Sequence, residues 1–209
     1  MNTPAASAEQ CLALAVAHVN AGQPERAKLL CEHTLASHGP HPAVLQLLAV
    51  LCLKQGQLEA ATSAIAASLS LRPDHLPSLL VAGDVARAAG HWQDAERALA
   101  RAVALSPTHV DAWFALALTR HDLGDLAGAE AALRQVLGLV PQRAEAEVNL
   151  GIVLQDAGRI DEAMCAYGRA FRLREDSFGR IAQALSAANV GRLWLDLDAL
   201  RTALRNVPA

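Results

Sequence analysis

Apolar residues recur along this chain at helical rather than strand spacing, in pairs of amphipathic runs separated by a glycine. In each pair a first run of about 13 residues ends at the glycine, which can take the left-handed conformation that closes a helix. A second amphipathic run follows and stops at Pro73, Pro107 or Pro141 in the middle of the chain. Proline has no amide donor and cannot continue a helix, so these positions punctuate the pattern. The elements predicted are helix–turn–helix units, repeated.

The repetition is strict. Glycines stand at Gly22, Gly56, Gly90, Gly124 and Gly158, 34 residues apart each time, and each is followed five residues later by Ala27, Ala61, Ala95, Ala129 or Ala163. This period frames five units, 8–41, 42–75, 76–109, 110–143 and 144–177, after a flexible N-terminus at 1–7. One helix pair cannot bury its apolar faces alone, so neighbours must stack and stability becomes collective. Residues 178–209 hold a further pair, Phe178 to about Asn189 and Leu193 to about Asn206. Gly191 falls one residue short of the period and the following alanine is missing, which predicts capping helices with Trp194, Leu195 and Leu197 packed back onto the fifth unit. No Gly/Ser/Pro-rich linker or long charge run interrupts the chain, so it reads as one body.

These residues resemble the tetratricopeptide repeat. The fourth unit reads Trp113, Leu116-Ala117, Arg120, Ala129, Leu133, Val136 and Pro141, and the third Leu79, Ala82-Gly83, Ala86, Ala95, Leu99, Ala102 and Pro107. The fifth has Leu150-Gly151, Leu154, Ala163, Tyr167 and Ala170, but carries Glu147 and Glu175 where the family has an apolar residue and proline. The first departs further, with Cys11, Leu14-Ala15, His18, Ala27, Cys31, Thr34 and Gly39. The resemblance implies an all-α, right-handed superhelical solenoid with a concave groove lined by the first helices. Carried over by repeat position, the centre of that groove comprises Leu80, Asp84, Arg87, Phe114, Leu118, His121, Val148, Ile152 and Gln155. The positions that hold a chaperone's C-terminal carboxylate in similar domains are here Leu12, Gln46, Leu80, Phe114 and Val148, then Val16, Val50, Asp84, Leu118 and Ile152, so that clamp is absent. An apolar groove edged by charge suits a protein or peptide partner, either an amphipathic helix or an extended apolar segment.

Composition narrows the picture without redirecting it. The chain is 53% hydrophobic but 3% aromatic, so its apolar mass is Ala, Leu and Val, which favours packed helices. A net charge of -3 and the lack of a basic block argue against nucleic acid and anionic membrane surfaces as partners. Cys11, Cys31, Cys52 and Cys165 show no C-x-x-C spacing, and three of the four fall on core-facing positions, as free cysteines that behave as small buried hydrophobes do. His41, His75 and His109 recur immediately before first helices, one per unit, too far apart for one tetrahedral metal centre. No catalytic or phosphate-binding motif is present, so neither enzyme activity nor a cofactor or metal is expected. Met1-Asn2-Thr3-Pro4 lacks the charge of a signal peptide and no apolar run is long enough for a membrane span, which makes the cytoplasm the expected location. The function expected is a non-catalytic interaction scaffold. The alternatives are a self-assembling structural protein, or an accessory subunit of a separate transferase or hydroxylase.

Overall fold

Each amphipathic run forms a helix in the computed structural model, which describes residues 7–187 and 197–207. The first helices are α1 (Ala8–Asn20), α3 (Pro42–Lys54), α5 (Leu76–Ala88), α7 (Val110–Asp122) and α9 (Ala144–Asp156). The second helices are α2 (Pro24–His38), α4 (Leu58–Leu71), α6 (Trp92–Leu105), α8 (Leu126–Leu139) and α10 (Ile160–Leu173). Within each series the helices begin at the period of the glycines. A 3-10 turn at Glu175–Ser177 leads into α11 (Phe178–Ala187), and α12 (Leu197–Asn206) completes the described chain. No strand occurs among the described residues.

The period works through two local devices. Gly22, Gly56, Gly90, Gly124 and Gly158 have φ of +70, +71, +73, +79 and +76°. The next amide reaches back over each turn, from Gln23 to the His18 carbonyl (2.9 Å), for example, and from Asp125 to that of Arg120 (2.9 Å). This bond satisfies a carbonyl that the helix end would orphan, in a backbone conformation that a Cβ disfavours. The prolines set the other boundary. α4, α6 and α8 end at Leu71, Leu105 and Leu139, and Arg72, Ser106 and Val140 leave the helical region (φ -140, -138 and -137°) just before the rings.

Within a pair, packing depends on a small residue facing a larger one. Ala15, Ala49, Gly83, Ala117 and Gly151 occupy one register position on the first helices, and Cys31, Ile65, Leu99, Leu133 and Tyr167 the matching position on the second. A Cβ on Gly83 would lie 2.7 Å from Leu99 Cδ2, and one on Gly151 2.3 Å from Tyr167 Cε1. The periodic alanines fill the same seam: Ala27, Ala61, Ala95 and Ala129 are 0% exposed and Ala163 1%.

The helices group into two compact units, 1–106 and 107–209, rather than the one body expected from the sequence. The boundary falls at Pro107, the same repeat position as Pro73 and Pro141, so no linker marks it. In the first unit Ala15, Ala27, Cys31, Val44 and Leu51 form one cluster, and Ala49, Cys52, Ala61, Ile65 and Val85 another. Burial pushes the Cys31 thiol up to about 11, in keeping with a structural rather than reactive role. Ser68 Oγ donates to the Pro42 carbonyl (2.9 Å) and lies 3.0 Å from Ser78 Oγ, which is 2.9 Å from His75 Nδ1.

In the second unit α11 and α12 pack onto α9 and α10, burying Ile181, Leu185, Leu200 and Leu204 beside Tyr167 and Phe171. Leu197 does not pack back as expected: it opens α12 and is 52% exposed, while Leu200 and Leu204, on the inner side of the helix, take that role. Trp194 and Leu195 lie outside the described residues. Gly168 admits the α12 backbone, since a Cβ there would stand 2.9 Å from the Leu204 carbonyl oxygen. Arg172 Nη1 donates to the carbonyls of Leu204 (3.3 Å) and Val207 (2.9 Å), supplying a cation where the end of α12 is negative. Glu147, at the position the family fills with an apolar residue, is buried and accepts from Arg169 Nε at 2.8 Å. Tyr167 Oη donates to Gln155 Oε1 (2.9 Å) and Gln155 Nε2 donates to the Ala184 carbonyl (3.2 Å), tying α10, α9 and α11 together. Burial pushes the Tyr167 hydroxyl well above its ordinary range, so it stays a neutral donor.

Two stability measurements check this packing. Gly151→Ala should lower the denaturant midpoint, at a cost of about 1–3 kcal/mol from overpacking, whereas Gly138→Ala, on an open face of α8, should raise it by about 0.5–1 kcal/mol; equal effects would contradict the seam. Tyr167→Phe leaves the Gln155 carbonyl without its donor and should cost about 1–2 kcal/mol, with faster amide exchange in α11; unchanged exchange there would show that the chain of hydrogen bonds does not hold α11.

Candidate functional site

The second unit brings part of the expected groove together. α7 and α9 run side by side, and Phe114 and Leu118 from α7 and Ile152 from α9 are half-buried, each keeping some surface open. A polar pair stands at either end of this apolar row. At the start of the helices, Arg143 Nη1 is 2.8 Å from Asp111 Oδ1, and its guanidinium carbon lies 4.4 Å from the Phe114 ring centroid. At their ends, His121 Nε2 is 2.7 Å from Asp156 Oδ2. The site is therefore an apolar strip closed by Asp111–Arg143 on one side and His121–Asp156 on the other. Arg143 covers one face of Phe114, which leaves Leu118 and Ile152 as its more accessible apolar members.

Two expected groove residues lie elsewhere. Val148 is 1% exposed and Gln155 2%, so both sit in the walls of hollows rather than projecting from the strip. The cause is the element that follows: Val148 lies against the turn at Ser177 and the start of α11, and the Gln155 amide is spent on Tyr167 and Ala184. In their place α11 contributes Arg180 and Gln183. Together with Ile152, Asp156 and Ala184 they border a pocket of about 330 Å³ with Gln155 and Tyr167 in its wall. Arg180 also edges a smaller hollow of about 150 Å³ beside Val148. Arg180 and Gln183 lie on α11, beyond the five periodic units, so the repeat pattern carries no signal for them. Arg143, one residue before α9, carries no motif signal, yet a cation there is within reach of the neighbouring helix start.

The remaining expected residues belong to the first unit. On α5, Leu80 and Arg87 are half-buried and Asp84 is exposed. The Asp84 carboxyl is nevertheless raised above the ordinary carboxylate range, by desolvation first, with the Arg87 cation opposing. His41, His75 and His109 are the residues that open α3, α5 and α7. His109 Nδ1 accepts from the Ala112 amide at 3.1 Å and caps its helix. Among the described residues there is no cluster of three or more His, Cys, Asp or Glu side chains suited to a metal, and no helix is long and apolar enough to cross a membrane.

Sequence models of the tetratricopeptide repeat match residues 18–82, 80–144 and 122–180. No curated protein matches the chain. Among solved structures, MamA (41 to the end) from Desulfovibrio magneticus RS-1 aligns with a TM-score of 0.76 at 19% identity, covering 81% of this chain and 96% of that one. Another crystal structure of MamA protein aligns at 0.75 and 18% identity over 90% and 98% of the two chains. A thermophilic TPR protein in Thermus thermophilus is 25% identical, with a TM-score of 0.61 over 86% of this chain and 100% of its own. These likenesses concern the fold, and they agree with the helix pairs, their glycine turns and the small-residue seam. With repeat matches that run unbroken from residue 18 to 180, the chain belongs to the tetratricopeptide repeat family, a fold of interaction scaffolds.

Proposed function

We propose that this chain is a non-catalytic scaffold that holds a partner protein's amphipathic helix or extended apolar segment on the inner face of α7 and α9. The five repeats would span 8–177 and the capping helices 178–209. One observation carries the reading: Phe114, Leu118 and Ile152 are half-buried apolar side chains on two neighbouring helices, with the Asp111–Arg143 ion pair at one end and the His121–Asp156 contact at the other. Apolar side chains gathered on a surface favour burial against a partner, whereas scattered ones do not. The bounding charges would select a segment whose apolar residues are flanked by polar ones, because an unpaired apolar end would strand Asp111–Arg143 or His121–Asp156 without water. Leu80, Asp84 and Arg87 on α5 offer the first unit a contact of the same kind.

Partners captured by the intact chain and identified by mass spectrometry would be compared with those held by Leu118→Arg and by Leu139→Arg, a substitution at the exposed end of α8. Leu118→Arg should weaken the main partner at least about tenfold, as loss of a central anchor does, while Leu139→Arg binds as the unaltered protein does. Equal binding by Leu118→Arg, with its helical circular dichroism intact, would contradict the site.

A further inference from the structure

Leu29, in the middle of α2, is 66% exposed, the most of any large apolar side chain among the described residues. Leu14 on α1 is 52% exposed. By contrast Leu71, Leu105, Leu139 and Leu173, also in contact with solvent, are the last residues of their helices. The register shows what Leu14 and Leu29 lack. Four periods further on stand Leu150 and Cys165, which line one crease together with Arg134 and Leu137 of the preceding second helix. Leu14 and Leu29 have no such neighbouring helix among the described residues, and both face solvent there.

The charges around Leu29 select the occupant. Glu25, Arg26, Leu29, Glu32 and His33 are all exposed, and their spacing puts them on one face of α2. Arg26 and Glu32 lie three residues to either side of the leucine. Within the chain Arg26 makes one weak hydrogen bond, to Gln23 Oε1 at 3.3 Å, and neither it nor Glu32 has an ion-pair partner among the described residues. Glu25 gives one oxygen to Gln55 Nε2 (2.9 Å) and keeps the other. This face is complementary to itself. A two-fold axis through Leu29 lays α2 antiparallel on a second α2, with leucine on leucine. Arg26 then meets Glu32 of the second copy, Glu25 meets its His33, and each pair occurs twice, as an isologous contact requires. At the other end of the described chain α12 exposes Asp198, Arg201, Thr202 and Arg205 beside Leu197, a mostly polar face that offers the α2 leucine less than a second α2 does.

We propose that the chain forms a homodimer through the outer face of α2, centred on Leu29 and held in register by Arg26 and Glu32. The contact is independent of the strip on α7 and α9, and Leu118→Arg should leave it unchanged.

Sedimentation velocity on the full chain, from low micromolar to sub-millimolar concentration, tests it. The unaltered protein should pass from monomer to dimer, and Leu29→Arg should remain monomeric. Arg26→Glu and Glu32→Arg each set two like-charge pairs face to face and should weaken the dimer about tenfold or more. The double variant Arg26→Glu/Glu32→Arg restores opposite charges and should return to within about threefold of the unaltered dimer. The three altered side chains are all on the surface, and circular dichroism checks that each variant folds. A monomer at every concentration, a dimer indifferent to Leu29→Arg, or a double variant no tighter than the single ones would overturn the proposal.

Discussion

The rest of the molecule depends on how closely the two helices of a pair approach. One position on each first helix is never larger than alanine, and the side chain opposite lies directly over it. Where the second helix carries Leu99 or Tyr167, the first has shrunk to Gly83 or Gly151, and a single added carbon would overlap the ring or branch above. Interiors are packed to crystal-like density, so this contact sets the separation and rotation of each pair with little tolerance. The buried alanines from Ala27 to Ala163 do the same from the second helix. The glycine turn then has only one task, to reverse the chain without spending an unsatisfied carbonyl.

Once the pair is fixed, the inner face is fixed too. The residues that close the seam use one side of each first helix, and the helical period turns Phe114, Leu118 and Ile152 out of the opposite side. Their surroundings show that this strip has a definite extent. Arg143 reaches from the start of α9 to Asp111 and Phe114, and His121 reaches from the end of α7 to Asp156. Polar pairs this exposed add little stability; their effect is to mark where an apolar partner must end and polar groups begin. Beyond Ile152 the surface changes character, because α11 brings Arg180 and Gln183 over a wall made of the buried Tyr167–Gln155 pair.

The glycine and alanine period announced the helix pairs, their boundaries and the seam, since each of these is a local consequence of a residue type at a fixed spacing. What escaped it depended on partners that vary between units. Val148 and Gln155 occupy groove positions by register, yet they are buried because the element after α10 breaks the period and lies against them. Leu197 was expected inside, but α12 presents Leu200 and Leu204 to the core, a rotation decided by Gly168 and Arg172 on another helix. Arg143 could not be read as part of the strip because its reach across to Asp111 is a contact between neighbouring pairs. The division at Pro107 had no sequence mark either, since it reuses the ordinary turn.

The central claim is that a seam of small residues leaves the α7 and α9 strip as the surface that a partner occupies. Placing a photo-crosslinking amino acid at Leu118, at Ile152 and, as a control, at the exposed Gln135 of α8 tests it most directly. The strip should yield crosslinks to one partner segment from Leu118 and Ile152 and none from Gln135. Equal crosslinking from Gln135, or none from Leu118 while the partner is bound, would contradict it.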